Sequence, residues 1–225
     1  MAQADAAGSA AHPAAVTGSS SSSAGYGVEG ASSHPLEIAI KSPGGGQGLA
    51  TLALHPLCLD DLASYHELHA DPRVWEHLPS GRHTTLDRSR QDLEVLAAEW
   101  EAVGLSYWAV RDAQGGLAAV GGARLIGQGT VWNLYYRVAP RYWGCGIAAK
   151  VAHRAVEAAR RLQPHLPIVA YLLEHNTASK RIAEQALATP VRWRGPDAGN
   201  DDPHAVRLVY SDRPLDDAAL RVVTS

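Results

Sequence analysis

The residues best suited to chemistry are Val138-Ala139-Pro140-Arg141-Tyr142-Trp143-Gly144-Cys145-Gly146-Ile147-Ala148. They read as a strand end, a short loop with two glycines, and a helix start with no acid in its first turn. The first N–H groups of a helix lack intrahelical partners, and the helix dipole adds positive potential there. Together they form a site for phosphate oxygens. Glycine suits such a loop because a Cβ would obstruct close approach of the backbone to the anion. Arg141 either adds a charge-assisted contact or braces the loop. A loop that merely feeds a helix is the plain alternative.

Two nucleotide motifs compete for the same residues. Gly144-x-Gly146-x-x-Ala149 matches the spacing of a dinucleotide loop, with Glu174 as its ribose-binding acid. Against it, Pro140-Arg141-Tyr142-Trp143 intervenes after the strand, antiparallel strands precede, and too little chain follows. The P-loop spacing fails, because Lys150 does not follow a glycine at the required distance. His175 is either a base acting near neutral pH or a polar residue at a strand end. Cys145 reads as a loop filler rather than a nucleophile, since no His-Asp arrangement accompanies it. Tyr136 lines an acceptor pocket or sits in the core, and Asp60-Asp61 reads as a helix cap.

These groups need a scaffold, and the apolar pattern supplies one. Residues 49–54 read as a strand, and a short helix runs from Asp60 or Asp61 to His69. A second helix starts near Thr84 or Thr85 and ends at Gly104. Its stripe is Leu86, Leu93, Leu96, Trp100 and Val103, at a 3.6-residue period. Strands follow at 105–111, 117–125 and Val131–Val138, and their short turns favour antiparallel pairing. The helix after the loop buries Ile147, Val151, Ala155, Ala158 and Leu162. Ile168–Leu173 is a continuous apolar run, as in a strand covered on both faces. Asn176 caps a helix reaching Leu187, and strands at 191–194 and 205–210 close the domain. This order predicts an α/β fold: a mixed, mostly antiparallel sheet with helices on both faces.

Residues 1–48 are mostly Ala, Ser and Gly and cannot bury enough apolar surface to offset their ordering entropy. They are expected to form a disordered tail ending in a glycine linker at 43–46, although residues 36–40 have the pattern to pair transiently with a sheet edge. The predicted domain is 49–212, and 213–225 is a C-terminal extension. The chain of 225 residues has a net charge of -3, without the basic face of a nucleic-acid protein. Cys58 and Cys145 lack the spacing of a zinc site or a disulfide framework, so no metal is expected. No apolar run approaches the ~18 residues of a membrane helix, and the protein is expected in the cytoplasm.

Arg141-x-x-Gly144-x-Gly146 resembles the (Gln/Arg)-x-x-Gly-x-(Gly/Ala) pyrophosphate loop of the GNAT superfamily of N-acetyltransferases. The segments Asn133-Leu134-Tyr135-Tyr136-Arg137 before it and Asn176-Thr177-Ala178-Ser179-Lys180-Arg181 after it are similar to the ribosomal-protein N-acetyltransferase (RimJ/RimL-like) branch. So is the opening Leu54-His55-Pro56-Leu57. The resemblance covers roughly residues 49–210. It implies acetyl-coenzyme A as cosubstrate and transfer to an amine, either a protein N-terminus or a small molecule; strand edges near the C-terminus leave a monomer or a homodimer as the expected assembly. Backbone groups of Tyr136, Arg137 and Val138 would bind the pantetheine arm and polarise the thioester. Those of Trp143, Gly144, Cys145, Gly146, Ile147 and Ala148 would bind pyrophosphate. Asn176 would hold the pantetheine, and Ser179 would face the thiol.

The pattern departs from the family at three places. Ala183 stands where many members carry a tyrosine acid, which leaves Ser179 or a water for that task. Asn133 stands where relatives often carry a glutamate base, and Leu187-Ala188 where the helix usually ends in glycine. A non-catalytic acyl-coenzyme A binding module is therefore the alternative function.

Overall fold

The computed structural model describes residues 36–43 and 48–225. The tail and linker expected at 1–35 and 44–46 lie outside these residues. The chain forms one eight-stranded sheet in the order β1-β2-β3-β4-β5-β6-β8-β7. Its strands are β1 Leu36–Lys41, β2 Leu49–Pro56, β3 Tyr107–Arg111, β4 Leu117–Ile126, β5 Val131–Val138, β6 Ile168–Leu173, β7 Val191–Pro196 and β8 Val206–Ser211. All neighbours are antiparallel except β5 and β6. The helices are α1 Leu62–Ala70, α2 Leu86–Val103, α3 Ile147–Leu162, α4 Thr177–Leu187 and α5 Asp217–Thr224.

Period-2 alternation along β5 divides the core between two faces. Trp132, Leu134, Tyr136 and Val138 enter the large cluster beneath α3 and α4. Tyr135 packs on the opposite face with Leu68 of α1 and Leu93 and Leu96 of α2. Val131 lies on that face too, packed with Ala219 and Val223 of α5. The layered α/β architecture read from the sequence is the one observed.

Two boundaries differ from those expected. The segment before Leu49 contributes β1, paired along its length with β2, and it buries Ile38 and Ile40 in the main core. Alternation over so few residues in a polar, glycine-rich context is a weak signal. The C-terminal segment likewise joins the core through α5, whose N-cap Asp216 accepts from Ala219 N at 2.8 Å. In the helical stripes, Leu86 and Leu162 are exposed. Each sits at the end of its helix.

Some local features explain how the chain holds its register. Thr85 caps α2 and accepts from Arg88 N at 3.3 Å, while Gly104 closes it in a left-handed conformation at φ 78°. A Cβ on Gly122 would sit 2.3 Å from the Ser106 carbonyl oxygen, so β3 and β4 approach this closely only because the residue is glycine. Ala188 ends α4 at φ 52°, doing the work of the absent glycine at a strain of about 1–2 kcal/mol.

Candidate active site

After β5 the chain makes a tight turn over Pro140–Tyr142 and enters α3 through Gly144 at φ 81° and Gly146 at φ 83°. Gly146 is the N-cap, and neither a side-chain cap nor an acidic residue occupies the first turn. A Cβ on Gly144 or Gly146 would meet nothing within 4 Å, so the space over the helix start is open. The N–H groups of Gly144, Gly146, Ile147 and Ala148 have no backbone acceptor among the described residues. Two other members of the expected phosphate set are committed elsewhere. Trp143 N donates to Pro140 O and Cys145 N to Tyr142 O, both at 3.2 Å, because the turn needs these bonds to close.

The side chains of the loop are mostly structural. The Trp143 indole N–H donates to Val138 O at 2.8 Å. Cys145 is buried, with its Sγ 3.9 Å from Trp143 O. Of the two roles weighed for Arg141, the brace is the one seen. Its guanidinium donates to Leu117 O at 3.3 Å and lies 3.8 Å from Asp112, which also accepts from the Tyr142 hydroxyl.

Beside this loop the sheet splits. β5 pairs with β4 from Val131 to Val138, but with β6 only at Trp132↔Ile168 and Asn133↔Val169. Beyond that point the two strands part, and α4 begins near the widening gap. Asn176 caps α4, its side chain accepting from Ser179 N at 3.1 Å. The Tyr136 hydroxyl donates to Ser179 O at 3.3 Å, tying β5 to α4. Ser179 itself is fully buried, and its hydroxyl has no hydrogen-bond partner among the described residues. Leaving such a group unsatisfied costs about 1–3 kcal/mol.

The opposite face of the sheet holds groups that the sequence reading missed. The tyrosine lining the chamber there is Tyr135 rather than Tyr136, as strand alternation requires. A cavity of about 670 Å³ is bordered by Tyr65, His69, Trp75, His83, Tyr107 and Tyr135. It shares Leu78, Ser80, Asn200 and Asp201 with a groove of about 710 Å³ that reaches Leu173 and His175 at the end of β6. Trp75, Leu78 and the loop between β7 and β8 line these two spaces. Trp100 does not; its indole donates to Tyr107 O at 2.7 Å and its ring packs on Trp108.

Hydrogen bonds orient these chamber residues. Arg137 is fully buried with its guanidinium 3.6 Å from the Trp75 ring, so only its backbone is left to face the split. Its Nε donates to the Tyr135 hydroxyl at 3.1 Å. His69 Nδ1 lies 2.9 Å from the Tyr65 carbonyl, which can only accept, so Nδ1 carries the proton. Tyr135 therefore donates to His69 Nε2 at 2.8 Å.

Burial, then the neighbouring His83 and Arg137, hold the His69 pKa well below its ordinary 6.5, outweighing its bond to Tyr65. The unfolded chain consequently binds a proton below about pH 6.5 that the folded chain refuses. Stability from this residue is fully present above that pH and falls by up to about 1.4 kcal/mol per pH unit below it. Thermal melts between pH 7 and 5 should show this fall, with a smaller one in His69→Gln. An identical fall in the variant would remove His69 as its cause.

Residues 51–186 match the family model for the acetyltransferase (GNAT) domain, and the chain belongs to that family. The fold agrees with solved structures of related architecture. A GNAT-family acetyltransferase from Bordetella pertussis superimposes with a TM-score of 0.60 at 18% identity, over 72% of this chain and 95% of that one. RimL, a ribosomal L7/L12 α-N-protein acetyltransferase in complex with coenzyme A, gives 0.60 at 13% identity, over 76% and 96%. Spermidine N-acetyltransferase from Vibrio cholerae, in complex with coenzyme A and spermine, gives 0.56 at 15% identity, over 72% and 95%. No curated protein matches the sequence. No helix among the described residues is long and apolar enough to cross a membrane.

Proposed function

We propose that this protein transfers the acetyl group of acetyl-coenzyme A directly to an amine, with both substrates bound at once. The observation that carries this reading is the open, uncapped start of α3 placed beside the split between β5 and β6. Donors there suit a pyrophosphate, and the gap suits an extended arm that ends near Ser179. The buried Ser179 hydroxyl then meets the sulfur, stabilising the thiolate as it leaves. Side chains on a helix lean toward its N-terminus, so a tyrosine at Ala183 would point back one turn toward the place Ser179 occupies. Backbone groups at the end of β5 polarise the thioester. A covalent acetyl-enzyme is disfavoured because Cys145 is buried without a base. The activities named for the neighbours, on spermidine and on a ribosomal protein, support an amine as acceptor. Acetyl-coenzyme A as donor supports a cytoplasmic setting.

The test is a calorimetric titration of acetyl-coenzyme A, followed by turnover on spermidine and on a peptide with a free N-terminal alanine. Micromolar binding with turnover is the expected result. No heat and no thermal shift would overturn the reading. The second reading, a coenzyme-binding module without catalysis, rests on Ala183 and Asn133. Both are buried, and neither offers an acid or a base. Binding without turnover on either amine would favour it.

A further inference from the structure

We propose that His175 is the base that takes the proton from the attacking amine, an inference that rests on the acetyl-transfer reading above. His175 follows the end of β6 and directly precedes Asn176, so it stands where the sheet has split and α4 begins. Its Nε2 lies 3.0 Å from the His77 carbonyl oxygen. A carbonyl can only accept, so Nε2 bears the hydrogen and the lone pair of the neutral ring sits on Nδ1. The ring is exposed, and it borders the groove that joins the end of β6 to the acceptor-side chamber.

His69 and the phenols of the chamber are not available as bases. His69 has both nitrogens hydrogen-bonded. Burial pushes the phenols of Tyr65 and Tyr107 well up, so both stay protonated. Asn133 has no basic atom. His175 Nδ1, by contrast, has no partner among the described residues.

Several ionisable groups border the same groove. Asp201 and Asp202 come from the loop between β7 and β8, and they stand there with His204 and with His77 from the segment after α1. Glu174 also borders the groove, held by Arg194 through two bonds of 2.8 Å. In the step itself, the acceptor nitrogen forms its bond to the acetyl carbon while the carbon–sulfur bond breaks. The nitrogen's proton passes to His175 Nδ1, and the sulfur leaves with the electron pair as a thiolate beside Ser179. Solvent then protonates the thiolate and accepts the proton from His175.

The test compares wild type with His175→Gln, whose amide keeps a donor for the His77 carbonyl. Acetyl-coenzyme A binding is read by calorimetry. Transfer to spermidine and to the alanine peptide is followed from about pH 5 to 9. Unchanged coenzyme affinity, a drop in kcat of about 100-fold, and loss of the acidic limb of the rate profile are expected. A merely structural residue would leave that limb in place. A variant that keeps both its rate and its limb would overturn the proposal while leaving acetyl transfer standing. Wild type that binds the coenzyme yet acetylates neither probe would overturn both.

Discussion

Gly146→Glu is expected to weaken acetyl-coenzyme A binding at least about 100-fold, roughly 2.7 kcal/mol. Gly146 caps α3 at φ 83° with open space above it. A glutamate there places a carboxylate at a helix terminus whose free N–H groups and dipole attract anions, and it repels a pyrophosphate. The Cβ adds left-handed strain of about 1–2 kcal/mol, which lowers the melting temperature without unfolding the protein. Gly146→Ala carries that strain without the charge, and no atom stands within 4 Å of its Cβ. Alanine should therefore retain most of the affinity that glutamate loses. Calorimetry on the two variants separates strain from charge. A glutamate variant that binds like wild type would remove the start of α3 from the coenzyme site.

Arg207→Met should cost about 3–5 kcal/mol of stability, because it strands a buried carboxylate. Arg207 is 8% exposed and forms a salt bridge with Asp197, in which both side chains are nearly buried. It also donates to Val223 O at 2.9 Å and Ser225 O at 3.3 Å, fastening the end of α5 to β8. Its guanidinium lies 5.1 Å from the Tyr171 ring. Methionine keeps part of the packing and none of these bonds. For a domain of this size the loss corresponds to a fall of roughly 6–20 °C in Tm. Pairing it with Asp197→Leu should recover a large part, since the isolated charge is gone. Melts followed by circular dichroism decide the matter, and a Tm within about 1–2 °C of wild type would show that the pair contributes little. Asp197 borders the acceptor-side chamber, so the single variant should also loosen that wall.

Long, strongly periodic elements and the glycine loop were legible in the sequence, because burial imposes its period on every residue of such elements. The residues between 105 and 173 show this best, with β3, β4, β5, α3 and β6 falling near their expected spans. The short β1, read only as a transient sheet-edge pairing over residues 36–40, was legible in part, and α5 was not. β1 holds only Ile38 and Ile40 as buried anchors, and what selects strand there is the pairing with β2. At the site, Gly144, Gly146 and Asn176 carry their conformational role in their type. Tyr135, His69 and Arg137 do not, since their partners come from distant segments: His69 of α1 meets Tyr135 of β5, and Arg137 donates to Val74 O at 3.3 Å. Alternation alone would have placed Tyr135 opposite Tyr136. It could not say which face carries the chamber. The commitment of Trp143 N and Cys145 N to the preceding turn also follows from three-dimensional closure, which spacing does not encode.

The split between β5 and β6 has a mechanical consequence. Strands β1 to β5 form one plate and β6, β8 and β7 another, joined edge to edge by two residue pairs. Cohesion across that seam otherwise comes from α3 packed on α4, from Ala219 and Val223 of α5 packed with Val131, Val169 and Val209 of both plates, and from ties such as Tyr136 to Ser179. A molecule lodged in the gap therefore acts as mortar between the plates. Its binding free energy is added directly to the resistance of the two halves to coming apart.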